Sequence, residues 1–177
     1  MNIKKDFILP ISVLSLICLF VSGALAVVNS YTKPVIEGAA AERAAAARKE
    51  VIPQADGFEL LEVDGLPRTI TEVYRATNDT GYIFMITSPG YGGDVKLICS
   101  IDPDGKIIKT VTLAQTETKG MATPVFENPH ESQYIGKNKN LDGIVGITGA
   151  TISSNAYKNG IRDAFTAFEI VTAGGKP

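Results

Sequence analysis

The run Val95-Lys96-Leu97-Ile98-Cys99-Ser100-Ile101-Asp102-Pro103-Asp104-Gly105-Lys106-Ile107-Ile108-Lys109-Thr110-Val111-Thr112-Leu113-Ala114 decides the fold class. Two β-branched stretches, 95–102 and 106–114, flank Asp102-Pro103-Asp104-Gly105. Proline presets one turn angle, glycine supplies a positive one, and aspartate bonds its own backbone, so the pattern reads as a hairpin joining two strands.

Upstream, residues 69–77 and 81–88 are again β-branched and aromatic, separated by the turn composition Asn78-Asp79-Thr80-Gly81. Four short strands in antiparallel order are expected to make a sheet. Downstream, 124–134 reads as a short helix, 136–140 as a loop and 141–147 as a strand. Then Tyr157, Ile161, Ala164, Phe165 and Phe168 fall at i, i+4, i+7, i+8 and i+11, one continuous helical face that reads as core. Asn155, Lys158, Arg162, Asp163 and Glu169 point elsewhere, and Gly174-Gly175 is expected to end the helix. A sheet followed by a helix places the domain in the α+β class.

Between sheet and helix stands Thr148-Gly149-Ala150-Thr151-Ile152-Ser153-Ser154. Gly149 is free to adopt backbone angles closed to other residues, and Ala150 adds little bulk. Thr148, Thr151, Ser153 and Ser154 crowd hydroxyls ahead of an apolar-periodic segment, a helix N-cap pattern. The free N–H groups and positive dipole end of the same helix equally favour an anion such as a phosphate. On the residues alone both readings stand. Gly90-Tyr91-Gly92-Gly93 and Glu117-Thr118-Lys119-Gly120-Met121-Ala122 interrupt the strands, and by themselves read as flexible and solvated turns.

The N-terminal part has a different character. The run 7–28 is apolar, broken only by Pro10, Ser12, Ser15, Ser22 and Gly23, and is long enough to cross a bilayer as a helix. Lys4 and Lys5 precede it and no lysine or arginine follows until Lys33, which leaves 1–6 in the cytoplasm and the remainder outside. Ala24-Leu25-Ala26 also resembles a signal-peptide cleavage site, but the run is longer than a usual signal core, so a retained single-pass anchor in membrane lipid is expected. Residues 29–55 follow as an alanine-rich connector helix, with Pro34 suited to its first turn and Pro53, Asp56 and Gly57 closing it. The globular domain is then 56–177.

Composition narrows the function. The 177 residues carry 17 basic and 19 acidic side chains, a net charge of −2 that offers no basic surface for nucleic acid. One histidine, His130, and two cysteines without a Cys-x-x-Cys pair argue against a zinc, haem or iron–sulfur site held by this chain alone, so no metal is expected. Cys18 and Cys99 are read as small buried hydrophobes. No acid–base constellation is present, so no catalysis by the chain alone is expected.

In their order and spacing, these features resemble the flavin-binding subunits of the Rnf and Na+-pumping NADH:quinone reductase complexes, and most of all the Rnf G subunit. The resemblance runs from the anchor and connector through the Gly90-Tyr91-Gly92-Gly93 loop, the Asp102-Pro103-Asp104-Gly105 hairpin and Glu117-Thr118-x-Gly120 to Thr148-Gly149-Ala150-Thr151. It implies an FMN-binding domain with FMN held covalently, as a phosphoester on Thr151 installed by a separate flavin transferase. Thr148, Gly149, Ala150 and Ser154 would surround the phosphate, and Glu117, Thr118 and Tyr91 would lie near the isoalloxazine ring. The implied role is electron transfer within an Rnf-type complex that couples ferredoxin and NAD+ chemistry to ion translocation, with other membrane subunits as partners. The family usually has an acid three positions before the motif and Pro-Gly-x-Gly in the Glu117 loop; here Val145, Lys119 and Ala122 depart from that pattern. The competing reading is an extracytoplasmic sensory module that binds a flavin or phosphate ligand without a covalent bond.

Overall fold

The hairpin read from residues 95–114 lies within a five-stranded antiparallel sheet in the computed structural model, which describes residues 3–174 and side chains from residue 8. Residues 1–2 of the expected cytoplasmic segment and Gly175 of the expected helix stop lie outside the described residues. Strands β1 (Phe58–Leu61), β2 (Ile70–Ala76), β3 (Tyr82–Pro89), β4 (Asp94–Ile101) and β5 (Ile107–Ala114) are neighbours in chain order. Four were expected; β1, only four residues long, is the addition.

Helix α1 (Ile3–Val51) precedes the sheet and α2 (Thr151–Gly174) follows it. The chain divides into two compact units, Met1–Glu42 and Arg43–Pro177. Within the first, the most apolar 18-residue window has a mean hydropathy of 2.6 and none of it is buried, so this helix is long and apolar enough to cross a membrane. Cys18, expected to be buried, is exposed there among other exposed apolar side chains such as Ile17 and Leu19. Pro34 does not open a helix as expected. Both Pro10 and Pro34 lie inside α1. A mid-helix proline removes one backbone bond, and the alanine-rich sequence from Ala39 onward carries the helix past that loss.

In the second unit the sheet is covered on both faces, which is why Leu97-Ile98-Cys99-Ser100-Ile101 is buried without interruption. Register sorts the side chains. Leu61, Val73, Phe84, Cys99 and Thr110 form one row across the five strands, and Leu60, Tyr74, Ile83, Ser100 and Lys109 form the next, pointing the other way. The first face packs with Tyr157, Ile161, Ala164 and Phe165 of α2 in the main core. Phe168, the last member of the expected helical face, is half-buried and meets Tyr82 edge-on at 5.6 Å. The second face meets Ala47, Val51 and Ile52 at the end of α1. Ser100, fully buried, donates to the Val51 carbonyl at 3.0 Å and so satisfies one of the free acceptors that a helix C-terminus leaves. The end of α1 is therefore part of the core, although its sequence offered little large apolar surface.

Residues 124–134 form two separate 3-10 turns, Thr123–Phe126 and Glu131–Tyr134, rather than one helix. They close the open side of β5: Glu131 Oε1 accepts from the N–H of Thr112 at 3.0 Å, and Gly136 and Lys137 exchange backbone bonds with Ile107. Covering the edge in this way blocks pairing with a foreign strand.

Candidate functional site

The approach to α2 is an irregular segment, not the strand expected over 141–147. Leu141 is buried and turns with φ of +50°, while Ile144 and Ile147 pack against the core; these anchors produce an apolar pattern without any ladder partner. Side chains hold the backbone instead. Gln133 accepts from the Val145 N–H at 2.9 Å and donates back toward its carbonyl at 3.3 Å. Ser154 Oγ accepts from the Ile147 N–H at 3.0 Å, and the Ala150 N–H donates to the Ile147 carbonyl at 3.0 Å.

The chain then passes through Gly149 at φ of +83° and enters α2 at Thr151. The residue before the helix is Ala150, whose methyl group cannot cap, so no Ser/Thr side chain occupies the cap position itself. The first intrahelical bond is Ser154 N–H to the Ala150 carbonyl at 2.9 Å. The N–H groups of Thr151, Ile152 and Ser153 therefore stand ahead of the helical ladder, at the positive end of a 24-residue helix.

The four hydroxyls divide. Thr148 and Thr151 are exposed, while Ser153 and Ser154 are buried. Ser154 is occupied with Ile147, and Ser153 Oγ donates to Glu117 Oε2 at 2.9 Å. A methyl group built on Gly149 would meet nothing within 4 Å, so there is open space beside the exposed threonines.

Glu117 brings the second and third segments to this helix end. Its Oε1 accepts from the N–H groups of Tyr91 at 2.7 Å and Gly92 at 3.2 Å, and the residue is only 7% exposed. The glycine loop is not the flexible turn its composition suggested. A Cβ on Gly92 would lie 2.5 Å from the Thr116 carbonyl oxygen, so the two loops pack backbone against backbone. Thr118 is exposed next to Glu117, and its carbonyl accepts from Met121 and Ala122 to turn the chain. Tyr91 is 72% exposed, and Met121, Val145 and Ile152 are exposed apolar residues of the Glu117 loop, the approach segment and the helix start.

Behind the site, the first turns of α2 rest on a buried aromatic cluster. Tyr157 donates to Thr110 Oγ1 at 2.8 Å, and burial pushes its phenol well above the ordinary range. Phe126, Tyr134 and His130 pack around it, with Tyr134 at 4.9 Å between ring centroids. Burial raises Glu131, opposed by its hydrogen bonds from Thr112, and lowers His130. Among the described residues no group of three or more His, Cys, Asp or Glu is placed to hold a metal ion.

Sequence reasoning missed Gln133 and underweighted Ser153. Nothing local marks Gln133, whose role depends on a partner twelve residues away. Ser153 had a signal: it lies within the first turn of α2, on the buried side.

A family model described as an FMN-binding domain matches residues 90–166, which spans the glycine loop, the Glu117 loop and the helix start. The chain is 27% identical over 174 residues to the G component of the proton-translocating ferredoxin:NAD+ oxidoreductase complex of Clostridium ljungdahlii, covering 88% of each chain. It is 26% identical over 175 residues to the G component of the Na+-translocating ferredoxin:NAD+ oxidoreductase complex of Acetobacterium woodii, covering 82% of this chain and 84% of that one. Against the G component of the ion-translocating oxidoreductase complex of Methanosarcina acetivorans, identity is 25% over 182 residues, covering 93% and 95%. Residues 90–166 thus match an FMN-binding domain, in a chain similar along most of its length to the G components of ion-translocating oxidoreductase complexes.

Proposed function

We propose that this chain is a membrane-anchored electron-transfer subunit carrying FMN as a phosphoester on Thr151, within an Rnf-type complex that couples ferredoxin and NAD+ chemistry to ion movement. The observation that carries the reading is the setting of Thr151. It is exposed, it is the first residue of α2, and it follows Gly149 and Ala150, which leave room beside the backbone. A phosphate there would meet the free N–H groups of the first turn and the positive helix end. Thr148, also exposed, would lie on the phosphate side, while Tyr91 and the Glu117-Thr118 loop would face the ring. Bound FMN supplies the electron chemistry; the chain supplies attachment, orientation and local dielectric.

In the same reading, residues 7–28 are the anchor, 29–55 the connector and 56–177 the flavin domain on the extracytoplasmic side. A covalent tether retains the cofactor where no cytoplasmic pool would replace one that dissociated. A flavin transferase performs the attachment, and other membrane subunits supply the nucleotide and iron–sulfur steps for which this chain has no residues.

The test is intact mass after co-expression with a flavin transferase, for the native chain and Thr151→Val. The native chain gains the mass of one FMN moiety and the variant gains none. An unmodified native chain overturns the covalent reading, and flavin retained by native contacts but lost on denaturing electrophoresis would favour the non-covalent module.

A further inference from the structure

We propose that Glu117 is a positioning residue whose carboxylate locks the 90–93 loop onto the first turn of α2 and so fixes Tyr91 relative to Thr151. The consequence for a flavin rests on the reading of Thr151 given above; the lock itself does not.

Three donors from two distant segments converge on this one side chain. Tyr91 and Gly92 donate their N–H groups to Oε1, and Ser153 donates its hydroxyl to Oε2 at 2.9 Å. A carboxylate is the one side chain of this size that offers two acceptor oxygens and no donor. Backbone N–H groups held in this way are satisfied without a strand partner, and negative charge near a helix N-terminus is favourable.

The packing around the carboxylate is as specific as the hydrogen bonds. A Cβ on Gly90 would lie 2.1 Å from Glu117 Oε1, so the loop closes over the carboxylate only with glycine there. Thr116 Oγ1 donates to the Gly92 carbonyl at 3.1 Å, and Glu117 N–H donates to Gln115 Oε1 at 2.7 Å, which fixes the backbone that carries the carboxylate. With both oxygens committed inward, Glu117 acts on a ligand through Tyr91 and Ser153 rather than by contact. The resemblance alone put Glu117 beside the ring; the geometry points to an indirect role.

The test compares Glu117→Gln and Glu117→Asp in the full chain, in detergent, by hydrogen exchange resolved at residues 90–93. The Gln variant keeps the size and one acceptor oxygen but loses the charge that strengthens the bonds from Tyr91 and Gly92, so exchange at both accelerates by about tenfold. The Asp variant keeps the charge but is too short to satisfy all three donors, and falls between Gln and native. Gly90→Ala, which displaces the carboxylate without removing it, reproduces the Gln result. Unchanged exchange in both Glu117→Gln and Gly90→Ala overturns the lock. In flavin-loaded protein, Glu117→Gln shifts the visible circular dichroism of the flavin while the intact mass still shows one FMN. An unchanged flavin signal alongside accelerated exchange overturns the positioning role. A native chain that takes up no flavin sinks the proposed function instead, and leaves the exchange rates to decide the lock.

Discussion

Gln133 holds Val145 by both ends of its amide, accepting from the Val145 N–H at 2.9 Å and donating to its carbonyl at 3.3 Å. The pair imitates one rung of a β-ladder in a segment with no strand partner, and it stands three residues before Thr148. Gln133→Ala should cost about 1 kcal/mol, the net worth of one good and one long hydrogen bond outside the core. Gln133→Glu should cost more, because an oxygen would then face the Val145 carbonyl. Urea denaturation of the full chain in detergent measures both. A Gln133→Glu variant as stable as the native chain would show that the second bond carries nothing.

Tyr157 and Thr110 tie the first turns of α2 to the edge strand through a hydroxyl pair at 2.8 Å, with both residues buried. Removing one partner strands the other, so Tyr157→Phe and Thr110→Val should each cost about 1–3 kcal/mol. The double variant removes the donor and the acceptor together and should cost clearly less than the sum. A double-mutant cycle on denaturation free energies reads the coupling, which vanishes if the two hydroxyls act independently.

His130 is buried, and its Nδ1 lies 2.7 Å from the Val125 carbonyl, so in the neutral ring that nitrogen carries the proton and Nε2 is left bare. Burial lowers its folded-state pKa below the ordinary value of 6.5. The unfolded chain therefore takes up a proton first as pH falls. Stability from this group is full above about pH 6.5 and declines as pH drops through that value toward the folded pKa. Glu131, raised by burial, works in the opposite direction: its cost is present at neutral pH and eases on acidification. Because His130 is the only histidine, its ring signal in a proton NMR titration should report the lowered pKa without ambiguity. A midpoint above 6.5 would contradict the burial argument.

The hairpin was legible because residue period and turn chemistry agreed, and the last helix because its apolar period runs without a break from Tyr157 to Phe168. Strand β1 was not, since Phe58-Glu59-Leu60-Leu61 is too short for alternation to register and is recognised only by its partners Val73 to Ala76. The segment 141–147 misled for a physical reason: Leu141, Ile144 and Ile147 are apolar because they anchor a loop to the core. The Thr148–Ser154 cluster was visible as chemistry, but not its division into two outward and two inward hydroxyls. That division depends on Glu117 and Ile147, which meet the helix only after folding.

Gly149 enters α2 with φ of +83°, a left-handed conformation that costs an ordinary L-residue about 1–2 kcal/mol. The space beside it is open, so a methyl group at this position meets no steric obstacle and the penalty is conformational alone. Gly149→Ala should therefore lower stability by about 1 kcal/mol, and Gly149→Asn by less, since asparagine tolerates the left-handed region better. The chemical effect should exceed the thermodynamic one. Any relaxation of φ at residue 149 re-aims Thr151 two residues on, so the yield of flavin-modified chain in an intact-mass assay should fall further in Gly149→Ala than in Gly149→Asn. Full modification of both variants at native yield would show that the left-handed turn supports the helix start but does not present Thr151.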